Sequence, residues 1–156
     1  MALFVQKKDI PTGEFNMGTT SFVTSLVHGS QASLMYSSRP PGYHSKPHYH
    51  ESEQISICLS GELYFYTDTQ AYKMKEGDAL RVPPNVIHWA HNKADVPFVQ
   101  VTVHAPSFHK STPGAVPLFD EGEEISYRSE PENLYDFSST LDIEKIEGMR
   151  ALGEDD

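Results

Sequence analysis

Short segments in which apolar and polar residues alternate recur along the middle of the chain and are separated by Gly and Pro turns. In residues 62–68 the alternation has a period of two, which is typical of a strand with one buried face. Strands are also predicted over 32–36, 71–74, 78–82, 86–91 and 98–104, and one or two strands over 48–59. Regularly spaced short strands with turn residues between them predict an all-β sandwich or barrel.

The last of these strands has one apolar and one polar face. Its odd-numbered interior positions are valines, whereas Gln100, Thr102 and His104 occupy even positions. Successive strand side chains point to opposite faces of a sheet. We therefore expect these three polar side chains to line a wet cavity inside the barrel.

After Pro106 the pattern changes, and short helical or irregular structure is expected. Ser139 to Asp142 resembles a capping box, which predicts a short helix over 141–152 that frays at Gly148. Apolar residues near this helix are expected to pack on the outside of the barrel or on a partner subunit: Leu134, Tyr135, Phe137, Leu141, Ile143 and Ile146. A disordered acidic tail is expected from Gly153 onward.

These patterns divide the chain into an N-terminal arm with a first strand (1–30), a β core (31–106) and a C-terminal extension (107–156). The 156 residues suffice for one well-buried core, and no internal repeat is present. The single cysteine, Cys58, lies in an apolar run and is expected to be a buried small hydrophobe. With no signal-peptide pattern at the start and no apolar run of about 18 residues, we expect a cytoplasmic protein that does not enter membranes.

Charge is distributed unevenly along the chain. Residues 1–119 carry nine acidic and nine basic side chains, whereas residues 120–156 carry thirteen acidic and three basic ones, which accounts for the net charge of −10. Acidic segments repel phosphate backbones, and no basic stripe occurs elsewhere. Nucleic-acid binding is therefore not expected.

Two histidines at positions 48 and 50, together with His88 farther along, predict a metal site. A His-x-His pair on an extended strand places both imidazoles on one face, and Gln54 keeps the same parity. Three neutral imidazoles and one amide oxygen suit a borderline divalent transition metal, and Fe, Mn, Ni and Zn all remain open.

The motifs that contain these residues resemble those of the cupin superfamily. The first runs from Gly42 through five residues to His48-Tyr49-His50, then three residues to Gln54 and six to Gly61. The second runs from Gly77 through five residues to Pro83-Pro84-Asn85, then two residues to His88 and three to Asn92. Two positions depart from the family pattern, because Gln54 replaces the usual Glu and Asn85 replaces the usual Gly. Asn tolerates a left-handed turn, so the second change is mild.

The resemblance implies an all-β cupin double-stranded β-helix, a jelly-roll barrel, with one metal-binding domain and a small-molecule substrate. The chain is similar in motif to small cupins that process unsaturated uronates, and more loosely to those that cyclise polyketides or cleave sulfonium compounds. Gln54 leaves the ion with its full charge, which strengthens it as a Lewis acid. We therefore expect an isomerase, lyase or cyclase. The alternatives are a non-haem iron(II) dioxygenase with a three-His centre and a non-catalytic metal- or sugar-binding cupin.

Several residues are candidates for catalysis and substrate binding. His104, with an ordinary pKa near 6.5, is the candidate general acid-base, and Gln100 and Thr102 accompany it on the polar strand face. Arg81 is a candidate anchor for a substrate carboxylate. Tyrosines are candidates for stacking or phenolic hydrogen bonds: Tyr36, Tyr64 and Tyr66.

Small cupins commonly pair through outer strands, so the resemblance also implies a homodimer. The unpaired edges of an open sheet favour such pairing. The apolar N-terminal segment 2–10 is the candidate for crossing to the partner.

Overall fold

The computed structural model describes residues 4–17, 20–107, 116–118, 122–124 and 141–154. Its regular elements are a 3₁₀ turn, Lys7–Asp9, the strands β1 Thr12–Asn16, β2 Ser21–His28, β3 Ser33–Arg39, β4 Glu53–Ser60, β5 Leu63–Thr67, β6 Ala71–Met74, β7 Ala79–Val82, β8 His88–His91, β9 Phe98–Ala105 and β10 Val116–Pro117, and the helix α1 Ile143–Glu147. Within these residues no helix is long and apolar enough to cross a bilayer.

The strands form two sheets that enclose one interior. The larger sheet has the order β1-β2-β3-β9-β4-β7, with β10 added parallel to β2, and the smaller has the order β6-β5-β8. All other strand pairs are antiparallel. The chain crosses from β8 in the smaller sheet to β9 between β3 and β4 in the larger one, the kind of crossover expected of a jelly roll. The all-β, two-sheet architecture predicted from the alternation is confirmed.

Burial follows the period of two that the sequence shows. Along β9 the even-numbered side chains are buried, and the odd-numbered valines face outward and are half-buried. The apolar core between the sheets consists of Phe22, Leu26, Met35, Tyr43, Cys58, Leu63, Phe65, Met74, Val82, Ala90 and Phe98. Cys58 is 2% exposed, in agreement with the expectation of a buried small hydrophobe.

The turn in the second motif depends on a left-handed backbone. Asn85 has φ +64°, so the Asn that replaces the usual Gly adopts the left-handed conformation that Asn tolerates. Its backbone N–H donates to the carbonyl of His50 at 2.8 Å, which ties the second motif to the first.

The structure differs from the expected elements at the N-terminal side of the barrel. Two strands, β1 and β2, precede residue 30, where one was expected, and both belong to the larger sheet. His48 and His50 lie before β4, which begins at Glu53, and not within a continuous strand. His48 is held by an isolated antiparallel bridge to His88.

The C-terminal helix is shorter than the predicted 141–152. Its N-cap is Asp142, whose side chain accepts a hydrogen bond from the Lys145 N–H at 3.1 Å, and Gly148 forms the C-cap. The Ser139 position of the capping-box pattern lies outside the described residues. As expected, apolar residues of this segment pack on the outer side of the small sheet: Leu141, Ile143, Ile146 and Ala151 against Tyr66 and Trp89.

Of the acidic tail, expected to be disordered from near Gly153, the structure describes two residues, Gly153 and Glu154. Glu154 accepts hydrogen bonds from Ala151 N–H at 3.0 Å and from Tyr64 Oη at 2.9 Å. These contacts hold the tail on the small sheet. Of the apolar residues expected to pack, Leu134, Tyr135 and Phe137 lie outside the described residues.

Candidate metal centre

Three imidazoles from the two motifs meet inside the barrel. The ring centroid of His88 lies 4.4 Å from that of His48 and 4.8 Å from that of His50. His48 and His50 are 6.3 Å apart, the widest of the three separations, and His48 is only half-buried. His88 therefore lies between the two histidines of the first motif.

A backbone carbonyl orients each of the three rings. The Nδ1 atoms of His48, His50 and His88 lie 2.7, 2.8 and 2.8 Å from the carbonyl oxygens of residues 46, 52 and 86. Because a carbonyl can only accept, each Nδ1 carries the proton and each Nε2 keeps a lone pair. Metal-binding histidines typically donate their other ring N–H to such an acceptor.

Burial keeps His88 neutral. The pKa of His88 lies well below its ordinary value, chiefly because burial penalises the charged form and also because His48 and His50 lie beside it. A neutral imidazole is the form that binds a metal.

Gln54 presents its amide oxygen to the imidazoles. Gln54 Oε1 lies 3.3 Å from His50 Nε2, and both atoms are acceptors when His50 Nδ1 carries the proton. Two acceptors at this distance repel one another unless a cation lies between them. Donor atoms bound to one ion at about 2.1 Å lie roughly 3 Å apart, so this pair fits a shared transition metal.

A chain of hydrogen bonds fixes that orientation of Gln54. Gln54 Nε2 donates to Ser56 Oγ at 3.2 Å, and Ser56 Oγ lies 2.9 Å from Thr102 Oγ1. With its amide oxygen turned inward, Gln100 accepts from Thr102 Oγ1 at 3.0 Å and from Arg39 at 2.7 and 3.2 Å. The chain therefore leads from the amide beside the imidazoles to a guanidinium.

The imidazoles line a cavity of about 220 Å³ together with apolar and polar side chains. The apolar lining residues include Phe15, Met17, Phe22, Met35, Leu63, Phe65 and Ala90. The polar lining residues include Ser37, Arg39, Tyr43, Ser45, Tyr49, Gln54, Gln100, Thr102, His104 and the three imidazoles. Such a cavity suits a small molecule with an apolar body and a polar end.

Arg39 is the cationic residue in the wall of this cavity. Its guanidinium carbon lies 4.3 Å from the centroid of the Phe22 ring and 5.4 Å from that of Tyr43, and Nη1 donates to Ser37 Oγ at 2.9 Å. These contacts hold the guanidinium in place. A fixed guanidinium can bind a carboxylate or another anionic oxygen.

The polar face predicted for β9 is where the sequence placed it. Gln100, Thr102 and His104 are buried in the cavity wall, and the His104 ring centroid lies 5.4 Å from that of His50. In the strand register His104 is opposite Gln54, whose amide oxygen contacts His50. This pairing brings the His104 ring close to the ring of His50.

Two predicted site residues lie elsewhere and are corrected. Arg81 is exposed on the outer face of β7, and its Nε donates to Glu53 Oε2 at 2.6 Å. Tyr64 lies on the outer side of the small sheet, where it donates to Glu154. Parity explains both, since their strand neighbours Val82 and Phe65 take the inward positions.

The other tyrosines considered for the cavity also lie outside it. Tyr36 is 52% exposed on the outer face of β3, and Tyr66 is buried against Trp89 with ring centroids 5.4 Å apart. Sequence reasoning missed Arg39 and Ser56. The alternation would have found Arg39, because it has the same parity on β3 as Met35 and Ser37, which are buried.

Comparison with known proteins gives one family match and one curated relative. Residues 35–104 match the family described as "Cupin domain". The "Quercetin 2,3-dioxygenase" of Bacillus subtilis (strain 168) is 36% identical over 56 residues, which are 35% of this chain and 17% of that protein. The aligned part of this chain thus spans about a sixth of the curated relative.

Solved structures share the fold. A predicted oxalate decarboxylase from Thermotoga maritima matches with a TM-score of 0.59 and 17% identity, covering 67% of this chain and 99% of that one. An RmlC-like cupin from Shewanella frigidimarina matches with a TM-score of 0.58 and 17% identity, covering 69% and 92%. At these identities the likeness concerns architecture alone.

Proposed function

We propose that this chain, whose residues 35–104 belong to the cupin superfamily, is a metal-dependent enzyme that acts on a small molecule with an apolar body and an anionic oxygen. The observation that carries the proposal is the pair of facing acceptors, His50 Nε2 and Gln54 Oε1, 3.3 Å apart in the wall of the central cavity. That wall also contains Arg39 and His104.

His48, His50, His88 and Gln54 would hold one divalent ion, for which Fe, Mn, Ni and Zn are the candidates. When bound, the ion supplies Lewis-acid stabilisation for a substrate carbonyl or enol oxygen. All four donors are neutral, so no ligand offsets the charge of the ion. The hydrogen bond from Gln54 Nε2 to Ser56 keeps the amide oxygen directed inward.

Arg39 would orient the substrate. Its guanidinium faces the cavity beside Gln100, so a carboxylate or enolate oxygen can accept its hydrogen bonds. The apolar body would then pack on the aromatic side chains that line the same cavity, Phe15, Phe22 and Phe65, which exclude water. Small apolar acids and keto acids have this shape and polarity.

His104 would move the proton. In a lyase reaction, an imidazole nitrogen of His104 takes a proton from the carbon next to the carbonyl, a double bond forms, and the group on the next carbon departs with its electron pair. In an isomerase reaction, the same nitrogen returns the proton to another carbon. His104 lies near enough to His50 to act beside the ion.

A ferrous dioxygenase is the second candidate function. The phenylalanines that line the cavity and the 36% identity to a quercetin dioxygenase over 56 residues both favour an aromatic substrate and oxygen chemistry. Oxygen consumption distinguishes the two reactions, because only the dioxygenase consumes oxygen.

The test combines metal loading with paired arginine variants. Protein reconstituted separately with Fe²⁺, Mn²⁺, Ni²⁺ or Zn²⁺ is assayed on hydroxy, keto and phenolic acids, with absorbance and an oxygen electrode as parallel measurements. We expect turnover without oxygen uptake. Arg39→Gln should raise KM about 10- to 100-fold through the loss of a charged hydrogen bond, and Arg81→Gln, on the outer face, should leave KM unchanged.

His104→Gln tests the proton transfer. It should keep the metal and lower kcat by roughly 100- to 10,000-fold, which is the usual contribution of general acid-base catalysis. Wild-type kcat in this variant would contradict the role of His104. Oxygen uptake coupled to turnover would replace the proposal with the dioxygenase, and unchanged metal content in His88→Ala would contradict the central site itself.

A further inference from the structure

We propose that the chain has a second metal site, formed by His44, His91 and Glu147, which binds zinc or a similar divalent ion and fastens the C-terminal segment 141–154 to the barrel. None of these three residues lines the central cavity. The second site shares no residue with the central metal centre, so it does not depend on the proposed function.

The fold brings the three side chains together from distant parts of the chain. His44 and His91 form an isolated antiparallel bridge, and their rings are parallel within 5° with centroids 4.1 Å apart. Glu147, the last residue of α1, reaches them from 103 positions beyond His44, with its Oε1 2.6 Å from His44 Nε2.

The separations suit a shared ion. One ligand atom from each of the three residues lies within 4.8 Å of the other two. Among the His, Cys, Asp and Glu side chains that the structure describes, this is the group of three with such close ligand atoms. Two imidazole nitrogens and one carboxylate oxygen would form a zinc-type donor set that leaves a fourth position for water. The ion would replace the proton that His44 Nε2 donates to Glu147 Oε1, and that proton would be released to solvent.

His91 has a hydrogen-bonding atom that the described part of the chain does not satisfy. Its Nδ1 is buried and has no hydrogen-bond partner among the described residues. Burial, then His44 and Lys93, lower the pKa of His91, so its imidazole is neutral at physiological pH. A neutral imidazole with an unsatisfied buried nitrogen is suited to bind a cation.

Glu147 is held ready as an ionised ligand. Burial alone would raise the pKa of Glu147, but hydrogen bonds from His44 and Trp89 outweigh this effect and lower it. Trp89 Nε1 donates to Glu147 Oε1 at 2.9 Å and so orients the carboxylate. Carboxylates that bind metal ions are commonly held by such hydrogen bonds.

An ion at this site would connect two parts that otherwise meet through apolar packing and a few hydrogen bonds. The segment 141–154 packs on Tyr66 and Trp89 through Leu141, Ile143, Ile146 and Ala151. Linking Glu147 to the two histidines would hold this segment on the small sheet.

Metal stoichiometry tests the site, with cobalt(II) alone as the probe. In His50→Ala/His88→Ala, which removes the central site, one equivalent of Co²⁺ should still bind. Because Trp89 is the single tryptophan and contacts Glu147, its fluorescence should be quenched saturably. Adding Glu147→Gln should weaken this binding at least tenfold. Adding Glu144→Gln, which removes the same charge from an exposed position on the same helix, should leave it unchanged.

A second measurement applies if the double variant does not fold. Wild-type protein dialysed against micromolar Zn²⁺ should hold two equivalents, Glu147→Gln one and Glu144→Gln two. Equal zinc content in Glu147→Gln and Glu144→Gln would overturn the proposal. If the central site alone fails, wild type holds one equivalent that Glu147→Gln removes, so the two failures are distinguishable.

Discussion

At the scale of the residue, the hydrogen-bond partner of Gln54 Nε2 determines which end of the amide faces the imidazoles. A glutamate here would present two acceptor oxygens, whereas the amide has one donor end and one acceptor end. The donor end is bound to Ser56, so the acceptor end faces His50. The hydrogen-bond chain through Ser56 and Thr102 thus belongs to the metal centre although no member of it beyond Gln54 is a ligand.

We expect Gln54→Glu to bind the central metal more tightly and to turn over more slowly. The carboxylate adds a charged ligand but partly neutralises the ion, which weakens it as a Lewis acid. Metal affinity by competition with a chelator and kcat on the same preparation measure the two effects. Ser56→Ala, which removes the hydrogen bond without adding charge, serves as the control. A rate equal to or above the wild-type rate would contradict the Lewis-acid interpretation.

Cys58 should be unreactive, and its titration should lower stability at high pH. Burial raises the pKa of its thiol from 9.0 to about 11. Between these values the unfolded chain loses the proton first, so the free energy of unfolding falls as pH rises above about 9. Urea unfolding at pH 8 and pH 10 measures this, with Cys58→Ala as the control that lacks the titrating group. An equal pH dependence in both proteins would contradict the assignment.

At the scale of elements, two glycines of the first motif share a backbone conformation but not an environment. Gly42 and Gly61 both have φ +79°. A Cβ on Gly42 would meet nothing within 4 Å, whereas a Cβ on Gly61 would lie 2.4 Å from the carbonyl oxygen of Pro97. The turn between β4 and β5 therefore requires glycine for both conformation and space.

Gly61→Ala should destabilise the protein far more than Gly42→Ala. The left-handed conformation alone costs about 1–2 kcal/mol for a residue with a Cβ, and at Gly61 the backbone near Pro97 must also move. Thermal unfolding of both variants beside the wild type measures the difference. Equal destabilisation by Gly61→Ala and Gly42→Ala would contradict this prediction, because it would mean that the backbone near Pro97 moves at little cost in free energy.

At the scale of the whole molecule, the larger sheet has an apolar outer face. The large apolar side chains on it that are 40% or more exposed are Val23, Leu34, Tyr36, Ile55, Ile57 and Leu59. They lie on β2, β3 and β4, and the half-buried outward valines of β9 lie between β3 and β4. Contiguous apolar surface of this kind is typical of an interaction site.

The homodimer implied by the resemblance stays a prediction, and this face is where we expect it. Light scattering at micromolar concentration should give twice the chain mass. Ile57→Glu should shift the protein toward monomer, and Val96→Glu, a similarly exposed apolar residue in the loop before β9, should not. A monodisperse monomer in the wild type would contradict the prediction. The N-terminal segment 2–10 remains a candidate contributor, with Phe4 79% exposed.

The amino-acid sequence by itself determined the features that depend on short-range backbone geometry. Strand alternation placed Gln100, Thr102 and His104 in the cavity, and motif spacing brought His48, His50 and His88 together. The tolerance of Asn for a left-handed backbone predicted the positive φ of Asn85. Each of these follows from side-chain parity or from the φ angle that a single residue tolerates.

Only the tertiary structure decided the features that depend on pairing between distant segments. The polar chain from Gln54 to Arg39 requires the register of β4, β9 and β3, which one strand's pattern does not specify. The contact of Glu147 with His44 requires α1 to pack on the small sheet, 103 residues away. Such contacts arise because burial of apolar faces selects among many possible pairings, and local sequence does not encode that choice.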